Sequence, residues 1–107
     1  MKTESVCLNL VAARRLRDEL FDYLREQNDL VTGFTASEAI GHGPNAQLHT
    51  TEEQVKGYAD QVLVRIVLER ANAQQLLDRL AAAFAGTEII YWVAPVMEFG
   101  LIGVRNP

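Results

Sequence analysis

A chain of 107 residues with 49% apolar and 22% charged side chains is long enough to enclose one modest core, and its composition is ordinary for a folded domain. Its formal net charge of -4 opposes nucleic-acid binding, which needs a basic stripe to displace counterions from phosphates. The lone cysteine, Cys7, closes no internal disulfide, and no apolar run approaches the roughly 20 residues of a membrane span.

The start, Met1-Lys2-Thr3-Glu4, lacks the basic and then apolar pattern of a signal peptide, so a cytoplasmic protein that is not integral to a membrane is expected. From Glu4 to Val11 the chain alternates, with Val6, Leu8 and Leu10 on one side, which predicts a half-buried strand. From Ala12 to Gln27 the period changes: Leu16, Leu20, Phe21 and Leu24 form the apolar stripe of an amphipathic helix. Its first turn carries Arg14, Arg15 and Arg17, the wrong sign for the positive end of a helix dipole. Asp18 and Glu19, four residues after Arg14 and Arg15, offer surface pairing; an anion site is the alternative.

Asn28-Asp29 ends this helix, and Leu30 to Ile40 reads as a second strand. Gly41-His42-Gly43-Pro44-Asn45 is a turn by composition, and the polar stretch to Gly57 is expected to be a mobile loop. Val62, Val64, Ile66 and Leu68 then alternate with Leu63, Arg65 and Val67 in a third strand, whose first set faces the helices. Asn72 with Gln75 three residues later resembles a capping box, and Leu76, Leu77, Leu80 and Phe84 stripe a second helix that stops at Gly86. Ile89 to Met97 is the last strand.

The order strand, helix, strand, strand, helix, strand predicts one domain over residues 1–107, with both helices on one face of a four-stranded sheet. The reverse face is expected to be too apolar for water. Leu63 and Val67 share it with Arg65, and the last strand is apolar on both sides. A homo-oligomer follows; the alternative is a monomer whose C-terminal tail folds back over this face.

The chain is not expected to be an enzyme. Ser5 and Ser37 have no His or Lys at a suggestive spacing, and Glu52-Glu53 reads as a solvated pair. An RNA-recognition domain would stack bases on aromatics of its central strand, and Val62 to Glu69 has none. His42 and His49 bracket the loop, but no paired Cys or HxxxH spacing accompanies them. Zinc within one chain is therefore not expected, whereas oligomerisation would bring histidines of neighbouring subunits together as metal ligands.

The run Gly33-Phe34-Thr35-x-Ser37-Glu38-x-x-Gly41-His42-Gly43 resembles the second strand of the PII signalling proteins, just before their functional loop. Gln61 to Leu68 is similar to their third strand in pattern, and Val93-Ala94-Pro95-Val96 to the Val-x-Pro-Val of their last strand. The resemblance implies an α+β fold, a ferredoxin-like βαββαβ sandwich with an antiparallel sheet, assembled as a PII-like trimer with ligand sites in the clefts between subunits.

This chain departs from PII at the phosphate contacts. Pro44-Asn45-Ala46 stands where PII proteins carry Gln-Lys-Gly, Gln61 replaces a lysine, and Leu101 and Gly103 replace two arginines. Their glycine- and lysine-rich segment shrinks to Ala85-Gly86-Thr87-Glu88. The pattern is closer to a short-loop bacterial PII-like family, the domain of unknown function 3240, some of whose members are associated with heavy-metal efflux.

The resemblance marks Thr35, Gly41, His42 and Gly43 as ligand-contacting positions, because these match the base-of-loop motif. It implies a regulatory protein that binds a small ligand or metal ion and modulates a protein partner, such as a metal-efflux transporter. No cofactor is named by the sequence. The outline is also similar to the CutA metal-tolerance proteins, and that alternative makes His42 and His49 direct ligands of a divalent metal.

Overall fold

A computed structural model describes residues 4–43 and 48–104 of the chain. Strand β1 (Ser5–Ala13) leads through a 3₁₀ turn (Arg14–Leu16) into helix α1 (Arg17–Glu26). Strand β2 (Thr35–Gly41), a short helix α2 (Thr51–Lys56) and strand β3 (Ala59–Glu69) follow, then helix α3 (Arg70–Ala83) and strand β4 (Ile90–Pro95). The sheet order is β2-β3-β1-β4 and every pairing is antiparallel, so the βαββαβ sandwich expected from the sequence is the fold observed.

Register explains which residues meet. Leu8 lies opposite Ile66 and Leu10 opposite Val64, so the period-two apolar sets of β1 and β3 fall on one face. Leu20 and Leu24 of α1 and Ala73, Leu76 and Leu80 of α3 close over that face in one continuous core. Their spacings of three and four residues put them on one helical stripe, which is why each helix lies flat on the sheet. Edge-to-face contact of Tyr23 with Phe84, at 5.5 Å between ring centroids, joins the helices. So does the bidentate pair of Arg79 with Asp29, at 2.9 and 2.8 Å. The hydrogen bonds from Arg79 hold the Asp29 carboxyl below its ordinary range.

Several boundaries differ from those expected. Ala12 and Ala13 belong to β1, paired with Val62 and Gln61, and the helical winding begins only at Arg14. Because that first turn is 3₁₀, the four-residue pairing of Arg14 and Arg15 with Asp18 and Glu19 is not made; Arg14 reaches Glu38 at 3.6 Å, and Arg17 meets its neighbour Asp18 at 3.2 Å. Strand β2 starts at Thr35 rather than Leu30. After Asn28-Asp29 the amides of Leu30 and Val31 donate to the Gln27 carbonyl, and both side chains drop into the core. Phe34 then packs on Phe21, 5.5 Å between centroids, before the strand begins.

The Asn72–Gln75 capping box is not formed. Helix α3 starts three residues earlier, directly from β3, with Glu69 at the N-cap and no side-chain cap bond. The orphan amide of Arg70 instead donates to the Glu4 carbonyl at 2.9 Å, and the Arg70 guanidinium forks onto the Glu4 carboxylate. The stretch expected to be a mobile loop up to Gly57 contains α2, held by a capping box at Thr50 and Glu53. Pro44, Asn45 and Ala46 lie outside the described residues, as do Met1 to Thr3.

The face away from the helices carries Cys7, Val11, Leu63, Val67, Ile90 and Trp92, with Asn9 and Arg65 among them. One row across it runs Thr35, Arg65, Asn9, Trp92, each opposite the next. Among the described residues, the tail beyond β4 does not fold back over it: Trp92 remains 47% exposed, and Met97, Phe99, Leu101 and Ile102 stand in solvent.

Candidate functional site

The loop end of the sheet is where the sequence motifs converge. Strand β2 ends at Gly41, whose φ is not in the left-handed region; the glycine matters there through space. A β-carbon on Gly41 would come within 2.3 to 2.7 Å of the Gln61 side-chain amide, so Gln61 lies folded across the bare backbone. Gly43, with φ of 100°, does need glycine for its conformation. His42 is exposed between them, and its ring lies 5.7 Å from Tyr58 at 52°. Thr35 sits at the far end of β2 on the open sheet face, about 20 Å from Gly41 at the rise of an extended strand. Within one protomer, the structure brings Gly41, His42 and Gly43 together and leaves Thr35 apart.

The segment from His49 to Asp60 is organised by one carboxylate. Thr50 Oγ1 accepts from the Glu53 amide at 3.0 Å, and Glu53 Oε1 accepts from the Thr50 amide at 3.2 Å and the His49 amide at 2.7 Å. The other oxygen accepts from the Asp60 amide at the start of β3. Glu53 is thus buried, not solvated as the sequence led us to expect, with both oxygens occupied by backbone donors. Those donors, Asp60 first and then His49, hold its carboxyl below the ordinary range. Gly57, at φ of 81°, then turns the chain out of α2 and into β3.

A cleft of about 180 Å³ opens beside this segment. Arg15 and Leu16 of the 3₁₀ turn, His49, Asp60 and Gln61 form one side; the α3–β4 turn, Gly86 to Glu88, forms the other. The turn is fixed by Thr87, whose amide and hydroxyl both donate to the Phe84 carbonyl at 3.2 and 2.6 Å. Glu88 has φ of 34°, a left-handed conformation that a non-glycine residue adopts only under constraint. Arg15 makes no ion pair among the described residues and lines the cleft together with Asp60 and Glu88, so groups of both signs border it.

The two histidines do not form a centre within one chain. His49 lines the cleft with Arg15, whereas His42 stacks near Tyr58, and no group of three His, Cys, Asp or Glu suited to a metal occurs among the described residues. Cys7 lies on the open sheet face opposite Val67. The residues that sequence reasoning missed are Glu53 and Glu88, and for Arg15 the cleft it faces. Only Glu53 had a readable signal: Thr50-x-x-Glu53 is a capping-box spelling.

The sequence profile of a family described as "Protein of unknown function (DUF3240)" matches residues 2–103. The chain belongs to this family. It is similar to the crystal structure of a DUF3240 family protein from Shewanella baltica, with a TM-score of 0.73, 22% identity, and coverage of 95% of this chain and 99% of that one. A candidate PII-like signalling protein from Thermus thermophilus matches with a TM-score of 0.61 and 18% identity, covering 88% of each chain. CPII, a nitrogen regulatory PII-like protein from Thiomonas intermedia bound to ADP, AMP and bicarbonate, matches at 0.62 and 15% identity, over 90% of this chain and 97% of that one. No curated protein matches significantly. At these identities the likeness establishes a PII-like fold. Among the described residues, no helix is long and apolar enough to cross a membrane.

Proposed function

We propose that this protein is a PII-like regulator, cytoplasmic and without enzymatic activity, that works as a homotrimer. It binds a small ligand at the loop end of the sheet and reports occupancy to a protein partner, with a heavy-metal efflux component as the partner class. The observation that carries this reading is the convergence, on one cleft, of the Glu53-anchored segment, the start of β3 and the constrained turn at Glu88.

The coupling is physical. A ligand touching Arg15, His49 or the Gly86–Glu88 turn contacts the same segment that Glu53 holds, so it favours one arrangement of residues 48–60. A partner that binds only that arrangement is linked to the ligand by the same free energy. The bare sheet face supports assembly, because sister copies that cover it complete clefts that one chain leaves open.

Isothermal titration calorimetry tests the reading. The CPII ligands set the first probes: ADP, AMP and bicarbonate, followed by Zn, Cu, Ni and Co ions. Saturable heat with a nucleotide or bicarbonate, reduced in Arg15→Gln, is the expected result. No heat with any probe overturns the ligand-binding role. Heat with a metal alone that disappears on replacing His42 and His49 makes the protein a direct metal binder instead.

A further inference from the structure

The open sheet face carries a charge that the proposed function does not use. Arg65 stands near the middle of β3, an inner strand of the sheet, on the side away from the helices. It makes no hydrogen bond or ion pair among the described residues. Around it on that face lie Leu63 and Val67 of β3 and, diagonally on β1, Cys7 and Val11. The carboxylates of the strands lie elsewhere. Glu38 is on the helix side of β2, opposite Val62, where it meets Arg14 at 3.6 Å. Glu69 shares the open face but ends β3 opposite Ser5, four positions and about 13 Å from Arg65.

The residues level with Arg65 are hydrogen-bond donors. Thr35, Arg65, Asn9 and Trp92 follow one another across the four strands, about 4.8 Å apart. Thr35 brings a hydroxyl and Arg65 a fork of five N–H groups. Asn9 gives one amide hydrogen to the Cys7 carbonyl at 3.2 Å and keeps a second, and Trp92 has its indole N–H. No acid stands in this row. Copies of the chain that cover the face would take the guanidinium out of water with nothing to pair it, which is costly.

We propose that Arg65, with Thr35 and Asn9 beside it, binds a small oxyanion, a carboxylate or phosphate group, that is enclosed when copies of the chain assemble over this face. A guanidinium takes either group by two parallel hydrogen bonds, and the flanking hydroxyl and amide are placed to satisfy further lone pairs. The anion removes the cost of burying a lone charge. It therefore binds the assembled state in preference to the free chain and tightens assembly by the same factor. The inference rests on the trimer of the proposed function but not on its cleft ligand, since Arg65 does not line the cleft of Arg15 and His49.

Sedimentation equilibrium of the full chain tests it, at one pH and one ionic strength, with chloride replaced in part by inorganic phosphate or by acetate. Association tightened about tenfold or more by either anion is the expected result, and the effective anion names the group that the site takes. Arg65→Leu is expected to assemble in chloride at least as tightly as the native chain does with the anion, because an apolar side chain needs no counter-charge. It should ignore both anions. Arg65→Gln, which also loses the response, serves where the leucine chain aggregates. A native trimer of equal affinity in all three salts overturns the proposal and leaves the trimer standing, whereas a native chain that sediments singly in every salt overturns both. Variants that respond to the anions as the native chain does overturn it too. So does an Arg65→Leu chain that falls apart, which would make a carboxylate of a sister copy the partner of Arg65.

Discussion

The two faces of the sheet are made by the same strands from similar side chains, yet only one is closed. On the helix side Val6, Leu8, Val64 and Ile66 are fully buried, while on the other side Ile90 and Trp92 are 44% and 47% exposed. The difference is not in residue type but in what lies above. Two helices cover one face and the described residues supply no further element for the other, so the apolar alternation on the open side is what the proposed trimer would cover.

The largest effect that separates the faces comes from the closed one. Leu8→Ala removes a side chain with no solvent exposure from the middle of β1, under α1 and α3. Loss of transfer free energy plus the cavity left behind costs about 2–5 kcal/mol. Urea denaturation at fixed protein concentration is expected to show that drop. A change under about 1 kcal/mol would mean that the helices do not clamp the sheet as described.

The open face should respond in association rather than in folding. Trp92 lies opposite Asn9, at the β4 end of the row that also holds Arg65 and Thr35, so Trp92→Glu places a charge on the exposed apolar part of the proposed contact. The native protein is expected to sediment as a trimer with a melting temperature that rises with concentration. The variant is expected to sediment as one folded chain whose melting temperature does not. Its intrinsic stability at low concentration stays within about 1 kcal/mol of the native chain, the range of surface changes. A native protein that sediments as a single chain at micromolar concentration removes the assembly and the completed cleft with it.

How far each face was legible in the sequence follows from the same contrast. Period-two alternation in Glu4 to Val11 and Val62 to Leu68 carries both the strands and their buried sides, because register forces alternate residues onto opposite faces. Apolar residues that are not in a strand defeated that logic. Leu30 and Val31 are buried but serve the core after a helix end, and they drew the second strand five residues too early. Helix α2 went unseen for the opposite reason: it has no apolar stripe, its Val55 is 83% exposed, and only its cap speaks in the sequence. The cleft was the least readable part. Arg15, His49 and Glu88 come from three distant segments, and no spacing along the chain records that they meet.

The third region, held by neither burial of a face nor association, is the segment on Glu53, and it gives the smallest and most local effect. Hydrogen bonds from the backbone amides of Asp60, His49 and Thr50 favour the ionised carboxylate and lower its folded-state pKa below the unfolded value. The stabilisation is therefore complete above the ordinary carboxylate range and is lost as pH falls through it toward the lowered folded value. Asp29, held down by Arg79, adds to the global stability lost over the same acidic interval, but it joins the two helices rather than the loop. Glu53→Gln supplies one neutral acceptor oxygen in place of two charged ones, so at neutral pH it should loosen residues 48–60 while the sheet stays intact. Hydrogen exchange is expected to show faster exchange at Asp60 and through α2, with β1 and β3 core amides unchanged. Acidifying the native protein should reproduce that pattern; in the variant it acts on this segment only through Glu52, whose carboxyl the hydrogen bond from Lys56 also holds below its ordinary range, so the further loosening there is smaller. Equal loosening of sheet and loop in either experiment would mean that this segment is not a separate unit, and a ligand that touches it would have no distinct arrangement to select.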